Sequence, residues 1–129
     1  MSADQHVVII GAGHAGGSAA AALRQGGWEG RITIVGDEPE LPYQRPPLSK
    51  GWLKGEETAE SLALRSAKFY GENEIEVRVS ARAETIDRDG RRVSLSDGAE
   101  LAYDYLILAT GSRNRPLPVA GADLGGVLE

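Results

Sequence analysis

The glycines at positions 11, 13 and 16 stand in the run Gly11-Ala12-Gly13-His14-Ala15-Gly16. That spacing suits a backbone that receives a pyrophosphate. Gly11 permits a tight turn, Gly13 leaves room where a Cβ would block the phosphates, and Gly16 lets a helix lie close to the preceding strand. The helix that follows offers unpaired N–H groups and a partial positive charge to an anion. His14 lies inside the turn and reads as structural rather than as a proton donor. Asp37 and Glu38 come about 20 residues later, where a carboxylate accepts hydrogen bonds from a ribose. A carboxylate there repels a 2′-phosphate, which disfavours NADP at this position. These residues describe a dinucleotide site. They do not separate NAD from FAD, because both carry an ADP half.

The second stretch with chemistry is Leu41-Pro42-Tyr43-Gln44-Arg45-Pro46-Pro47-Leu48-Ser49-Lys50. Arg45 carries a planar donor fork suited to phosphate or ribose oxygens. The flanking prolines, Pro46 among them, stiffen the loop and restrict where Arg45 and Lys50 point. A lysine beside an isoalloxazine ring would stabilise the charge of a reduced flavin. On residue type alone, Lys50 reads as an exposed lysine.

Periodicity gives the elements that must hold these groups. His6–Ile10 is a β-branched apolar run of the kind a central parallel strand requires. Residues 11–17 form the turn, and 18–25 an alanine-rich helix stopped by Gly26 and Gly27, with Trp28 over its end. Arg31–Val35 is a second strand. Strand, turn, helix and strand in about 30 residues make a βαβ unit with a right-handed crossover. Residues 36–55 read as loop, since Pro39, Pro42, Pro46 and Pro47 oppose regular structure. Proline-rich loops of that length are more often functional than idle. A short helix is expected over 61–70 and a third strand over 75–79. Asp89-Gly90 and Asp97-Gly98 mark hairpin turns in an antiparallel excursion over 83–103. Arg88, Arg91 and Arg92 beside the first turn read as a solvated face. Residues 104–109 form a last strand ending at Thr110-Gly111, and ligands of open α/β sheets sit outside such ends. The rest, 112–129, shows no period and reads as a linker.

Composition excludes several alternatives. The 129 residues suffice for one domain. The net charge of −5 argues against nucleic acid, which wants a basic stripe. With no cysteine, the chain has no thiolate nucleophile, disulfide or iron–sulfur ligand of its own. No metal site is expected, and no catalytic residue is assigned. No apolar run approaches the ~18–20 residues that cross a bilayer, and the start lacks a signal-peptide pattern. A cytoplasmic protein without membrane contact is expected.

The glycine turn, the run Val-Gly-Asp-Glu-Pro with the Leu41-to-Lys50 stretch, Ala-Glu-Ser-Leu-Ala-Leu-Arg at 59–65 and Ala-Thr-Gly-Ser-Arg at 109–113 together resemble ferredoxin reductases of the rubredoxin and putidaredoxin reductase type. The mitochondrial apoptosis-inducing flavoprotein is a more distant likeness. The resemblance runs in order along essentially the whole chain. It implies an α/β, Rossmann-like FAD-binding domain with a parallel sheet and a small antiparallel β excursion. It implies hydride transfer from NADH to FAD, then single-electron transfer to an iron–sulfur carrier of the ferredoxin or rubredoxin type. By position, Gly11, Gly13, Ala15 and Gly16 would hold the pyrophosphate and Asp37, with Glu38 beside it, the adenosine ribose. Arg45 and Lys50 would approach the cofactor, Lys50 nearest the flavin. Backbone at Ala83 would pair with the adenine edge, and Ala109, Thr110 and Gly111 would pass close to the pyrophosphate.

Against that family the chain reads as an N-terminal part, with the fold incomplete. Residues 1–111 would be the FAD-binding portion and 112–129 a linker towards an NAD(P)H-binding domain outside the chain. Such a piece is expected to bind FAD weakly and to turn over nothing alone. Two other readings stay open: another flavin reductase on this fold, of nitrite reductase or NADH oxidase type, and a non-enzymatic nucleotide-binding module.

Overall fold

The structure is a computed structural model and describes residues 3–128. In chain order the elements are β1 (His6–Ile10), α1 (His14–Gln25), β2 (Arg31–Val35), a 3-10 turn (Pro46–Ser49), α2 (Ala59–Leu62), α3 (Ala67–Glu72), β3 (Ile75–Arg78), β4 (Ala83–Asp87), β5 (Arg92–Leu95), β6 (Glu100–Ala102) and β7 (Tyr105–Leu108). A parallel sheet runs in the order β3-β2-β1-β7, and β4-β5-β6 form a separate antiparallel sheet. This is the α/β class expected from the sequence, with the antiparallel excursion where the two Asp-Gly turns place it.

Strand alternation builds three layers. Side chains two apart along a strand share a face. Val7 and Ile9 of β1 therefore join Ile32, Ile34, Ala20, Trp28, Tyr70 and Ile75 on the helical side. Val8 and Ile10 turn the other way and pack with Val35, Val93, Leu95 and Leu101 under the antiparallel sheet. β1 is covered on both faces, so every one of its residues is buried. His6 and Thr33 are the polar exceptions in the core, and their Nε2 and Oγ1 atoms lie 2.8 Å apart.

Several element bounds differ from expectation, each for a local reason. α1 begins at His14 rather than at residue 18, because extended Gly13 serves as its N-cap and Gly16 and Gly17 lie within the helix. Helix propensity counts against those glycines, and close packing overrides it. A Cβ on Gly16 would stand 1.9 Å from the Gly11 carbonyl oxygen, and one on Gly17 would stand 2.9 Å from Leu64 and Pro42. Pro46 and Pro47 open a 3-10 turn instead of excluding one, since proline is tolerated in a first turn, where no N–H is needed. The helix expected over 61–70 is two helices. Thr58 caps α2 with a reciprocal Ser61 contact, Ser66 caps α3, and Ala63 between them is extended. β3 stops at Arg78, where residues 79–82 turn back towards β2.

Arg24 locks the end of α1. Its guanidinium donates to the carbonyls of Asn73 (2.7 Å), Trp28 (2.7 Å), Gly30 (2.8 Å) and Glu74 (3.0 Å). Trp28 covers the helix end as expected and meets Tyr105 of β7 edge-on at 5.7 Å. Described residues beyond 111 form no helix or strand and are largely exposed.

Candidate functional site

The C-terminal ends of β1, β2 and β7 open into two adjoining cavities, of about 610 and 510 Å³. The turn after β1 shapes their floor. Gly11 has φ of +119°, and a Cβ there would stand 1.9 Å from the Ala109 carbonyl oxygen. Only glycine fits both that angle and that approach. Gly36, directly after β2, passes beneath the turn so closely that its Cβ would meet that of Ala12 at 2.4 Å. Sequence reasoning assigned Gly36 no role; the signal was its place at the end of the second strand.

Gly13 differs from its neighbours. A Cβ built on it meets nothing nearer than the Arg45 guanidinium, at 3.7 Å. The space before it is open cavity, edged by a cation. The first turn of α1 follows, with no side-chain cap and no acidic residue. Gly13, His14 and Ala15 of this start line the opening, and no side chain among the described residues caps its leading N–H groups.

Ala15, Asp37, Glu38, Arg45, Ala109, Thr110 and Gly111 line the larger cavity with Gly11 and Gly13. Ala83 lines the smaller one, which shares Gly11, Asp37, Thr110 and Gly111 and adds Arg82 and Arg113. Arg82 carried no sequence signal. It reaches the wall because Ser80 and Ala81 donate backbone hydrogen bonds to the carbonyls of Glu38 (2.8 Å) and Gly36 (2.9 Å). Gly16 stands behind the cavity as a packing residue. Pro46 and Lys50 lie outside both walls, with Lys50 Nζ donating to the Pro46 carbonyl at 3.4 Å.

The two carboxylates differ in company. Asp37 is exposed at the mouth and has no partner among the described residues. Glu38 accepts from the Tyr43 hydroxyl at 2.7 Å and from Arg45 Nη2 at 2.7 Å. The Tyr43 hydroxyl first, and Arg45 with it, hold the Glu38 carboxyl below its ordinary range against the opposing effect of burial. The same bond raises Tyr43 above the usual phenol value. Glu38 is ionised and Tyr43 protonated at neutral pH.

Uncapped helix amides, an open glycine, a guanidinium and a free carboxylate at one strand-end cavity fit the phosphates and ribose of a dinucleotide. Among the described residues there is no group of three or more His, Cys, Asp or Glu able to hold a metal, and no helix long and apolar enough to cross a membrane.

Comparison with known proteins gives this arrangement its family. Residues 5–128 match the family described as pyridine nucleotide-disulphide oxidoreductase. The chain belongs to that family. It is similar to rhodocoxin reductase of Rhodococcus erythropolis, at 54% identity over 94% of this chain and 28% of that protein. It is similar to putidaredoxin reductase of Pseudomonas putida, at 49% identity over 97% of this chain and 30% of that protein. Among solved structures it resembles the reductase in the crystal structure of the covalent putidaredoxin reductase–putidaredoxin complex. The TM-score is 0.88 at 50% identity, over 92% of this chain and 28% of that one. The chain thus spans less than a third of the length of these relatives. The family match runs through the exposed segment beyond residue 111.

Proposed function

We propose that the chain is the FAD-binding portion of an NAD(P)H-dependent flavoprotein reductase that passes electrons from NADH through FAD to an iron–sulfur protein of the ferredoxin or rubredoxin type. One observation carries the reading: the open backbone at Gly13, flanked by the uncapped start of α1, by Arg45 and by unpartnered Asp37. FAD, when bound, supplies the hydride acceptor and the single-electron donor. The chain's own residues bind and orient it. The α1 amides and Arg45 take the pyrophosphate, Asp37 takes the adenosine ribose, and the backbone of Ala83 takes the adenine edge. Ala109 to Gly111 close the floor. Lys50 is assigned to the flavin end. Support for the partner class comes from relatives named as reductases of rhodocoxin and putidaredoxin, one of them seen joined to putidaredoxin.

On this reading residues 1–111 supply most of the cofactor site, Ser112 and Arg113 border it where the 112–129 linker begins, and NAD(P)H is bound by residues outside this chain. A cytoplasmic setting belongs to the proposal and rests on composition alone. The test is to purify the protein and identify what heat releases from it or what it takes up from solution. FAD is the expected ligand. Uptake of NAD in preference to FAD, or of neither, overturns the reading.

A further inference from the structure

Two carboxylates follow β2, and both were candidates for the ribose. Their surroundings separate them. Asp37 is unpartnered in the cavity, whereas each oxygen of Glu38 already accepts a short hydrogen bond, Oε1 from Arg45 and Oε2 from Tyr43. Tyr43 contributes twice, since its ring also lies under the Arg45 guanidinium at 5.2 Å. This loop is held in place from outside. Gln44 N–H donates to the Leu62 carbonyl at 2.9 Å and Leu64 N–H to the Pro42 carbonyl at 3.0 Å, with Tyr43 bridged to Ala63. The clamp is fixed at both ends, by β2 on one side and by the α2 segment on the other.

The result is an aimed cation. Arg45 Nη2 and Nε lie 3.7 and 3.9 Å from the position of a Cβ on Gly13. A guanidinium has five N–H donors, and Glu38 engages one nitrogen. The atoms nearest the space that Gly13 keeps open are Nε, which has no bond to Glu38, and Nη2, which Glu38 holds in place through Oε1. Left free, an arginine side chain loses rotamer entropy when it closes on an anion; held beforehand, it does not.

We infer that Glu38 is a positioning residue, which together with Tyr43 holds the Arg45 guanidinium over Gly13 for the phosphates of the bound dinucleotide and does not itself take the ribose. The inference rests on the dinucleotide reading of this cavity. It runs against simple electrostatics, because a carboxylate beside a phosphate site repels the ligand. Removing its charge should tighten phosphate binding if charge alone mattered, and weaken it if aim matters.

The experiment compares FAD, ADP and adenosine on the full chain. ADP and adenosine are titrated directly by calorimetry and by competition with FAD. Glu38→Gln is expected to weaken FAD and ADP roughly three- to fivefold, the scale of a half-exposed ion pair, and to leave adenosine unchanged. Tyr43→Phe keeps the ring, removes the hydroxyl, and should show a smaller loss of the same pattern. Asp37→Asn should weaken adenosine and ADP alike. In an Arg45→Gln background, Glu38→Gln should add nothing further. The inference is overturned if Glu38→Gln leaves ADP unchanged or tightens it, if it weakens adenosine as much as ADP, or if its effect adds in full to that of Arg45→Gln. A wild-type chain that binds none of the three ligands would instead sink the dinucleotide reading, and this inference with it.

Discussion

An added methyl group separates the roles of Gly13 and Gly16. At Gly16 it collides with the Gly11 carbonyl oxygen at 1.9 Å, and backbone cannot step aside. Gly16→Ala is expected to destabilise the fold by about 3 kcal/mol, read as a lowered urea midpoint. At Gly13 the same group enters open cavity, with φ at an ordinary −91°. Gly13→Ala should keep the wild-type midpoint and lose about tenfold in FAD affinity, the scale of one or two lost phosphate–amide bonds. His6 offers a test on pH. Burial first, then Arg31, lowers its pKa below the ordinary 6.5, with the Ala102 carbonyl, Glu76 and Asp104 opposing. The folded state therefore resists protonating His6 while the unfolded state does not. Its contribution to stability is present above pH 6.5 and is lost as pH falls through the depressed folded value. Urea midpoints should drop as pH falls below about 6.5. His6→Asn should flatten that slope whatever it does to stability overall.

Arg24 ties α1, the 28–30 turn and the end of α3 into one unit through four carbonyls. A planar fork reaches carbonyls on two sides, and a lysine ammonium cannot. Arg24→Lys is expected to lose about 2 kcal/mol, seen in chemical denaturation and in faster amide exchange at Asn73 and Glu74. Nothing in the sequence around Arg24 announces this, because its partners are backbone atoms brought near only by the fold. The parallel strands were legible for the opposite reason: burial on both faces demands largely apolar, β-branched runs, and His6–Ile10 and Arg31–Val35 carry such runs at their centres, with Thr33 the polar residue inside the second. The glycine turn was legible because each glycine answers a separate steric demand. The start of α1 was misplaced because propensity scores its glycines without knowing that Gly11 lies beneath them. The Glu38–Tyr43–Arg45 clamp was hidden because loop side chains converge only after α2 has pinned the loop.

At the scale of the molecule, the parallel sheet is well covered on its faces and ends in two edge strands, β3 and β7, with no further strand pairing among the described residues. β7 has a neighbour on one side only, and Tyr105 and Leu108 on it are 54% and 63% exposed. Ile107, Leu23 and Trp28 border a shallow apolar hollow beside it. Bare, apolar edges of this kind template association. The chain is expected to self-associate as concentration rises, measured by sedimentation. Leu108→Lys should shift it towards monomer while keeping the secondary structure.

The pairing of β1 has a consequence in time. Val7 is matched on one side to Ile32 and on the other to Tyr105. A ribosome that adds about 5–20 residues per second finishes β2 long before β7, with a gap on the order of 4–15 seconds. Through that interval the nascent glycine turn exists without Ala109 to Gly111 beneath it. On the proposed reading, a dinucleotide can be held by this site only after β7 has closed on β1.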